Sequence, residues 1–305
     1  MRLATTTEDF LPYFEDNKDR IKHVVKAGFK YIDLSMYIPI KDDPLLIRDD
    51  WRKNAKELKA FTEDLGAKLI QAHSPGGLMF SEDGVRNDEL FKRAVRSIEV
   101  CGALGISNIV VHASLSHGIT KEEYFERNLK FYNSLIPVME DSNVNVLIEN
   151  DSSDELRTGY AITSGKDMLE FISYVNHPLF HGCWDTGHAN TLGTQYEHLM
   201  ALGKDLYALH VNDNCGSQDE HTMPYLGTLN LDDLINGLLD SGYNGYFTFE
   251  SCRLLRPSRT WFGSRHTFSK DTRLLDPTLQ MHTKMEELLY EIGVHALKSY
   301  NCFEE

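Results

Sequence analysis

The chain has 305 residues, a length that fits one α/β barrel, and its hydrophobic content of 41% gives no sign of disorder. Its formal net charge of −15 disfavours nucleic acid and anionic membranes as partners, because both repel an acidic surface at long range. No apolar run approaches the ~20 residues of a membrane span, and the chain starts without the apolar core of a signal peptide. The five cysteines are widely separated, which predicts reduced thiols and a cytoplasmic location.

Short apolar, β-branched runs recur roughly every 35–40 residues, and each predicts a strand. In chain order the predicted strands are Leu3–Thr6, Tyr31–Leu34, Lys68–Ala72, Asn108–Val111, Asn145–Ile148, Gly182–Trp184, Leu206–Leu209 and Tyr246–Phe249. The predicted amphipathic helices between them are Arg20–Ala27, Asp50–Leu65, Asp88–Leu104, Lys121–Met139, Gly165–Val175 and Leu231–Leu239. Eight such units predict an α/β fold, a single (β/α)₈ TIM barrel over residues 1–305, because they favour closure over an open sheet.

Turn and capping residues support this division. Glycines that can end a helix in the left-handed conformation precede four predicted strands, at Gly28, Gly66, Gly105 and Gly242. Ser164 and Asn230 supply polar side chains where two helices are predicted to start.

The long loop after strand 8, residues 251–278, breaks the rhythm of strand and helix. From Arg253 to Leu275 it contains one acidic residue, Asp271. Its basic residues are Arg253, Arg256, Arg259, Arg265, Lys270 and Arg273. A loop of this length is usually functional or disordered. Three roles stay open: a phosphate or carboxylate clamp over the active site, a subunit contact, or a solvated surface loop.

Polar residues follow the predicted strands where each strand ends. In α/β barrels these positions point into the active site. Six strands end in a residue that can bind metal, and a further histidine, His188, follows strand 6; the six are His73, His112, Glu149, Asp185, His210 and Glu250. One such residue alone is more often structural. Three carboxylates and several imidazoles at one barrel mouth would instead repel each other and lose hydration without a cation. The set therefore predicts a divalent metal site, with ligands suited to Mn²⁺, Mg²⁺, Co²⁺, Zn²⁺ or Fe²⁺.

The order of several short motifs resembles the xylose isomerase-like TIM-barrel superfamily over nearly the whole chain. These motifs are Asp185-Thr186-Gly187-His188, His210-Val211-Asn212-Asp213-Asn214, Asp219-Glu220-His221, Gly227-Thr228-Leu229-Asn230 and Phe249-Glu250-Ser251. The superfamily includes sugar isomerases, ketose 3-epimerases, inosose dehydratase and endonuclease IV. The resemblance implies a metal-dependent isomerase or epimerase that acts on a sugar or sugar phosphate. It also implies a homo-oligomer, since dimers and tetramers are common in this group.

In the isomerase and epimerase branch, the metal is held by two Glu, an Asp and a His. The resemblance assigns these roles to Glu149, Asp185, His210 and Glu250. It further implies that Glu149 and Glu250 are catalytic, moving a proton through an enediolate that the metal stabilises.

The same resemblance implies substrate contacts from His73, His112 and His188. One departure concerns an Arg that ketose 3-epimerases place six residues after the strand-7 His, where this chain has Gly216. A substrate-binding Arg could instead be Arg157 or Arg253.

Three alternatives stay open. A keto-polyol dehydratase of the inosose dehydratase type shares the first proton abstraction. An endonuclease IV-like AP endonuclease would use three zinc ions, and all nine of its ligand positions have counterparts here; the additional metal ligands would be His73, His112, His188, Asp219 and His221. A non-catalytic sugar-binding protein is disfavoured, because it would be expected to lose strand-end carboxylates that this chain keeps.

Overall fold

The computed structural model describes residues 1–38, 40–77, 79–81, 84–113, 118–157, 159–254 and 277–305. Its strands are β1 (Arg2–Thr6), β2 (Tyr31–Ser35), β3 (Lys68–His73), β4 (Asn108–Val110), β5 (Asn145–Glu149), β6 (Phe180–Asp185), β7 (Leu206–His210) and β8 (Tyr246–Phe249). They form one sheet in the order β7-β6-β5-β4-β3-β2-β1-β8, and every ladder in it is parallel. An isolated parallel bridge between Val211 and Phe249 joins the two ends of this order. The predicted (β/α)₈ barrel is therefore confirmed.

Helices separate the strands along the chain. They are α1 (Asn17–Lys26), α2 (Trp51–Asp64), α3 (Asp88–Leu104), α4 (Lys121–Ser142), α5 (Ser153–Leu156), α6 (Gly165–Val175), α7 (Thr186–Asn190), α8 (Tyr196–Leu202), α9 (Leu231–Asp240) and α10 (Leu279–Ser299). Short 3-10 helices occupy Thr7–Phe10 and Gly203–Asp205. The six predicted helices are present, with shifts of up to three residues at their ends. The sequence analysis does not predict the short helices α5, α7 and α8 or the long helix α10.

The predicted helix caps are present. The Ser164 hydroxyl accepts a hydrogen bond from the Asp167 amide at the start of α6, and the Asn230 side chain accepts one from Asp233 at the start of α9. Gly105 ends α3 with a φ of 80°, in the left-handed region that a side chain would disfavour.

Two buried layers surround the strands. Val110, Leu147, Cys183 and Ala208 form a small cluster of their own, while the intervening residues of the same strands pack in the larger core with the helices. The side chains of the small cluster therefore face the interior of the barrel. Because side chains alternate along a strand, the residues two positions further on face the same interior, at the carboxyl ends of the strands.

Two buried carboxyl groups lie beside β1. Asp9, in the turn after β1, and Glu286, on α10, have no exposed surface. Burial raises the pKa of Glu286 to about 7. Burial and the nearby Glu286 carboxyl also hold the pKa of Asp9 well above its usual range. The pair therefore retains a proton near neutral pH, and the Thr5 hydroxyl donates a further hydrogen bond to Asp9 at 3.3 Å.

Within the described ranges, no helix has both the length and the apolar character that crossing a bilayer requires. All five cysteines are free of disulfide bonds. The basic residues Arg256, Arg259, Arg265, Lys270 and Arg273 lie outside the described residues, so the three roles considered for the long loop stay predictions.

Candidate active site

The four residues predicted to bind a metal meet at the carboxyl end of the barrel. Glu149, Asp185, His210 and Glu250 each offer a ligand atom within 4.8 Å of the others. The alternation of the strands brings them together, because Glu149, Asp185 and His210 each stand two residues after a member of the interior cluster. The first three are almost fully buried, and the Glu250 side chain is 15% exposed.

A second group adjoins the first at Glu149. His73 Nε2 lies 3.7 Å from Glu149 Oε2, and His112 Nε2 lies 3.3 Å from the same oxygen. The ligand atoms of these three residues also lie within 4.8 Å of one another. A bridging Glu149 could therefore serve two cations.

A third group lies at the outer edge of the site. Asp219 Oδ2 is 2.8 Å from His221 Nε2 and 3.4 Å from His188 Nε2. The three residues meet the same spacing criterion as the other two groups. All nine residues of the predicted multi-metal arrangement thus converge on one barrel mouth, in three groups.

Backbone carbonyls fix the orientation of three of these imidazoles. The Nδ1 atoms of His73, His188 and His221 lie 2.7 to 2.9 Å from the carbonyl oxygens of Ser74, Asn150 and Glu250 respectively. A carbonyl can only accept, so each Nδ1 carries a proton and each Nε2 faces its carboxylate neighbour. A metal-binding histidine is commonly oriented in this way.

His210 is oriented in the opposite sense by a carboxylate inside the barrel. Its Nε2 lies 3.3 Å from Asp33 Oδ2, which also accepts a hydrogen bond from the Gln71 amide at 2.8 Å. Its Nδ1 faces the ligand group, 2.6 Å from Glu149 Oε1 and 3.5 Å from Glu250 Oε2. Asp33 is 1% exposed and stands two residues before the end of β2, so it lies one layer below the residues at the strand ends.

Amide side chains hold Asp185. The Asn212 side-chain NH₂ donates to Asp185 Oδ2 at 2.8 Å, and the His188 backbone amide donates to Oδ1 at 2.6 Å. Asn150 exchanges two hydrogen bonds with the Asp185 backbone. Gly187 packs directly against the Asn212 side chain, and a Cβ at this position would lie 1.8 Å from Asn212 Oδ1.

The environment separates the pKa values of the two glutamates. Burial raises the pKa of Glu250 to about 8. Burial also opposes the charge of Glu149, but the His210 and His73 imidazoles beside it hold its pKa well below the usual range. One carboxyl group thus favours the protonated form and the other the ionised form, the pairing expected of an acid and a base.

The imidazoles divide in the same way. Burial lowers the pKa of His221, but Asp219 more than compensates and raises it to about 10. Loss of hydration lowers the pKa of His112 to about 3, so this imidazole is neutral. Extra protons on histidines such as His221 therefore balance the negative charge of the carboxylates. A bound cation would have to displace these extra protons, because an imidazole that binds a metal is neutral.

The donor set fits a divalent cation. Carboxylate and imidazole ligands in buried, pre-oriented positions suit Mn²⁺, Co²⁺, Zn²⁺ or Mg²⁺. Cys183 Sγ also lies within 4.8 Å of the ligand atoms of Glu149 and His210. Burial raises the pKa of that thiol to about 12, which favours the neutral thiol.

A cavity of about 460 Å³, a size typical of small-molecule sites, is lined by Glu149 and Glu250 among other residues. Of the residues predicted to bind substrate, His73, His112, His188 and Arg253 line it. Arg157 is exposed and is not among the described residues that line the cavity.

Sequence reasoning missed several functional positions. Glu8 and Tyr37, which follow β1 and β2, also line the cavity, as do Asp151 and Cys252. Glu8 and Tyr37 could have been found by applying the strand-end rule to the first two strands. Asp33 could have been found as a carboxylate in the middle of an apolar strand.

The closed parallel sheet places the chain in the class of (β/α)₈ barrels, and its mouth carries carboxylates and imidazoles that could hold a metal ion. Residues 21–268 match the family described as xylose isomerase-like TIM barrel, and the chain belongs to that family. The resemblance seen in the sequence is therefore confirmed.

Solved structures with the same fold include several sugar epimerases. D-psicose 3-epimerase from Clostridium cellulolyticum H10 is 20% identical, with a TM-score of 0.73 over 97% of this chain and 99% of that chain. 3-Keto-D-glucoside 4-epimerase from E. coli is 18% identical, with a TM-score of 0.68 over 95% and 99% of the two chains. At such identities the likeness establishes the fold alone.

Relatives by sequence are of a different kind. A probable endonuclease 4 from Citrifermentans bemidjiense is 32% identical over 126 residues, which are 37% of this chain and 44% of that protein. An uncharacterised protein from Methanocaldococcus jannaschii is 26% identical over 132 residues, 42% and 44% of the two chains. The chain spans about half the length of the curated relatives it matches.

Proposed function

We propose that the protein is a divalent-metal-dependent isomerase or epimerase that acts on a sugar by proton transfer next to a carbonyl group. One observation carries this proposal: two glutamates, Glu149 and Glu250, meet an aspartate and a histidine within 4.8 Å at the floor of a small-molecule cavity. The neighbouring folds of sugar 3- and 4-epimerases support it.

The chemistry needs two proton carriers on different sides of one carbon. Glu149 ends β5 and Glu250 follows β8, so the two carboxyl groups approach the cavity floor from strands three positions apart around the barrel. The ionised carboxylate removes the proton from the carbon beside the carbonyl, and the electron pair of that C–H bond passes into an enediolate. The protonated carboxyl group then returns a proton to the other face or to the neighbouring carbon.

Glu149, Asp185, His210 and Glu250 would hold the cation, which when bound polarises the substrate oxygens and lowers the cost of removing the proton. The His188 imidazole and the Arg253 guanidinium would orient substrate oxygens at the cavity wall. His73 and His112 would either contact the substrate or hold a second ion with Glu149.

Deuterium exchange tests the proposal. Protein loaded with Mn²⁺ or Co²⁺ is incubated in D₂O with a panel of ketoses, and the sugars are analysed by NMR and mass spectrometry. We expect deuterium at one carbon and loss of exchange in the Glu149→Gln variant, which lacks the carboxylate that removes the proton. The Glu304→Gln variant, altered at an exposed carboxylate that pairs with Arg2, should exchange normally. Absence of exchange with every sugar would contradict the proposal, and loss of water from the product would indicate a dehydratase instead.

A second candidate function is phosphodiester cleavage at abasic DNA. The observation that favours it is the convergence of three ligand groups, including His188, Asp219 and His221, together with the match to probable endonuclease 4 proteins. The net charge of −15 opposes it, because DNA binding needs a cationic surface. Nicking of an abasic-site duplex by zinc-loaded protein would support this function; intact duplex would exclude it. Metal analysis adds a second criterion, since three ions per chain favour the nuclease-like arrangement and one favours the isomerase.

Two further statements stay proposals. A cytoplasmic location agrees with five free cysteines. A homo-oligomer is testable by light scattering.

A further inference from the structure

Glu8 stands at the cavity wall outside the three ligand groups. It belongs to the 3-10 helix Thr7–Phe10 that directly follows β1, and it lines the cavity together with Tyr37 and Arg253. The position makes Glu8 a strand-end residue of the kind that contacts ligands in an α/β barrel.

The Glu8 side chain is held in place from the neighbouring strand. The Ser35 hydroxyl donates to Glu8 Oε2 at 2.7 Å. The Ser35 backbone amide donates to the Thr7 hydroxyl at 2.9 Å, and the Glu8 amide donates to the Thr6 hydroxyl at 3.2 Å. These bonds tie the turn to the end of β2. Their effect is to fix one carboxylate oxygen and leave Oε1 without a hydrogen-bond donor among the described residues.

The other carboxylates that line the cavity belong to the ligand groups or accept a hydrogen bond from the backbone. Glu149, Asp219 and Glu250 belong to the ligand groups, and the Asp151 Oδ2 atom accepts the Ile162 amide at 2.9 Å. Glu8 lies within ion-pair distance of no Lys or Arg in the described ranges, and its carboxylate adds negative charge to the cavity wall beside Tyr37. A carboxylate in this state accepts hydrogen bonds from hydroxyl groups strongly and repels a second anion.

We infer that Glu8 is a specificity-determining residue, accepting a hydrogen bond from a hydroxyl of an uncharged sugar and excluding phosphorylated sugars. The inference rests on the proposed sugar isomerase function and narrows its substrate to free ketoses or aldoses. It also opposes the phosphate-clamp role considered for the basic loop.

Calorimetric titration of the Mn²⁺-loaded protein tests the inference with matched ligands, D-fructose against D-fructose 6-phosphate and D-ribulose against D-ribulose 5-phosphate. The comparison uses the pair whose free sugar binds more tightly to the wild-type protein. We expect this free sugar to bind at least about tenfold more tightly than its phosphate. The Glu8→Gln variant should bind the free sugar about tenfold less tightly and the phosphate no less tightly than wild type. Ser35→Ala should act in the same direction with a smaller effect, because it releases the Glu8 carboxylate without removing its charge.

The control is Glu126→Gln, which removes the same charge from an exposed position on α4 and should leave both affinities unchanged. Thermal unfolding of each variant shows whether it is folded. A wild-type preference for the phosphates, an equal change of both affinities in Glu8→Gln, or no binding of any of the four sugars overturns the inference. Deuterium exchange reports separately on the isomerase proposal. If the protein discriminates between free sugars and phosphates but shows no deuterium exchange, only the isomerase proposal is contradicted. If exchange occurs and Glu8→Gln discriminates between the two kinds of sugar as wild type does, only the role of Glu8 is contradicted.

Discussion

Replacing Glu286 by Gln should remove part of the pH dependence of the protein's stability. Glu286 and Asp9 are buried together between β1 and α10, and burial raises the pKa of Glu286 from 4.5 to about 7. The amide of a glutamine has nearly the same shape, offers an N–H donor beside the Asp9 carboxyl group, and does not ionise. The substitution therefore removes the titration while keeping the packing.

The sign and size follow from the two pKa values. An acid whose pKa is raised by folding stabilises the folded state fully below its unfolded pKa, and this contribution is lost as the pH rises through the folded pKa. For Glu286 the window runs from 4.5 to about 7. Integrated from pH 5 to pH 8, the loss is on the order of 2–3 kcal/mol of unfolding free energy.

Urea unfolding followed by circular dichroism at pH 5 and pH 8, with EDTA present throughout, measures this loss. Between the two pH values, the Glu286→Gln variant should lose roughly 2–3 kcal/mol less than wild type. Glu287→Gln, altered at an exposed position of the same helix, should follow wild type. Equal losses in Glu286→Gln and wild type would show that the buried pair does not titrate as argued.

Two further predictions concern the metal site. Asp33→Asn should weaken Mn²⁺ binding about 10- to 100-fold, because the His210 Nε2–H would lose its charged acceptor; competition with a chelating dye measures this, and unchanged affinity would refute it. Gly187→Ala should lower the melting temperature and the metal affinity together, since the new Cβ would meet Asn212 Oδ1 at 1.8 Å and displace the amide that holds Asp185; a variant with wild-type values in both measurements would contradict the geometry. The exposed substitution Asp64→Asn serves as the control for both.

The barrel could be predicted because its strands are short apolar runs at nearly constant spacing. Helix α10 escaped prediction for a physical reason. Its buried face carries His282 and Glu286, and Gly293 occupies a point where a Cβ would approach Leu3 and Phe249 to within 2.9 Å. Polar residues and a glycine on the inner face conceal the apolar periodicity from which helices are recognised.

The candidates at the strand ends came from one rule, that strand ends meet at the barrel mouth, and the resemblance to the family selected the four ligands among them. The rule brought together residues as distant in sequence as His73 and Glu250, because alternation along each strand decides which side chains face inward. It could not find Asp33, which acts from within the barrel through His210. Which imidazole nitrogen faces the ligands is also invisible in the sequence, since it depends on carbonyl groups such as that of Asn150.

The closure of the barrel gives the four ligands a second consequence. In the described residues β7 and β8 share only the bridge at Val211 and Phe249, with the Glu250 amide donating to the Val211 carbonyl at 3.0 Å. His210 belongs to one side of this seam and Glu250 to the other. An ion held by both would cross-link the cylinder along its least-bonded edge. The residues that hold the ion would thereby also stabilise the barrel against separation of β7 from β8.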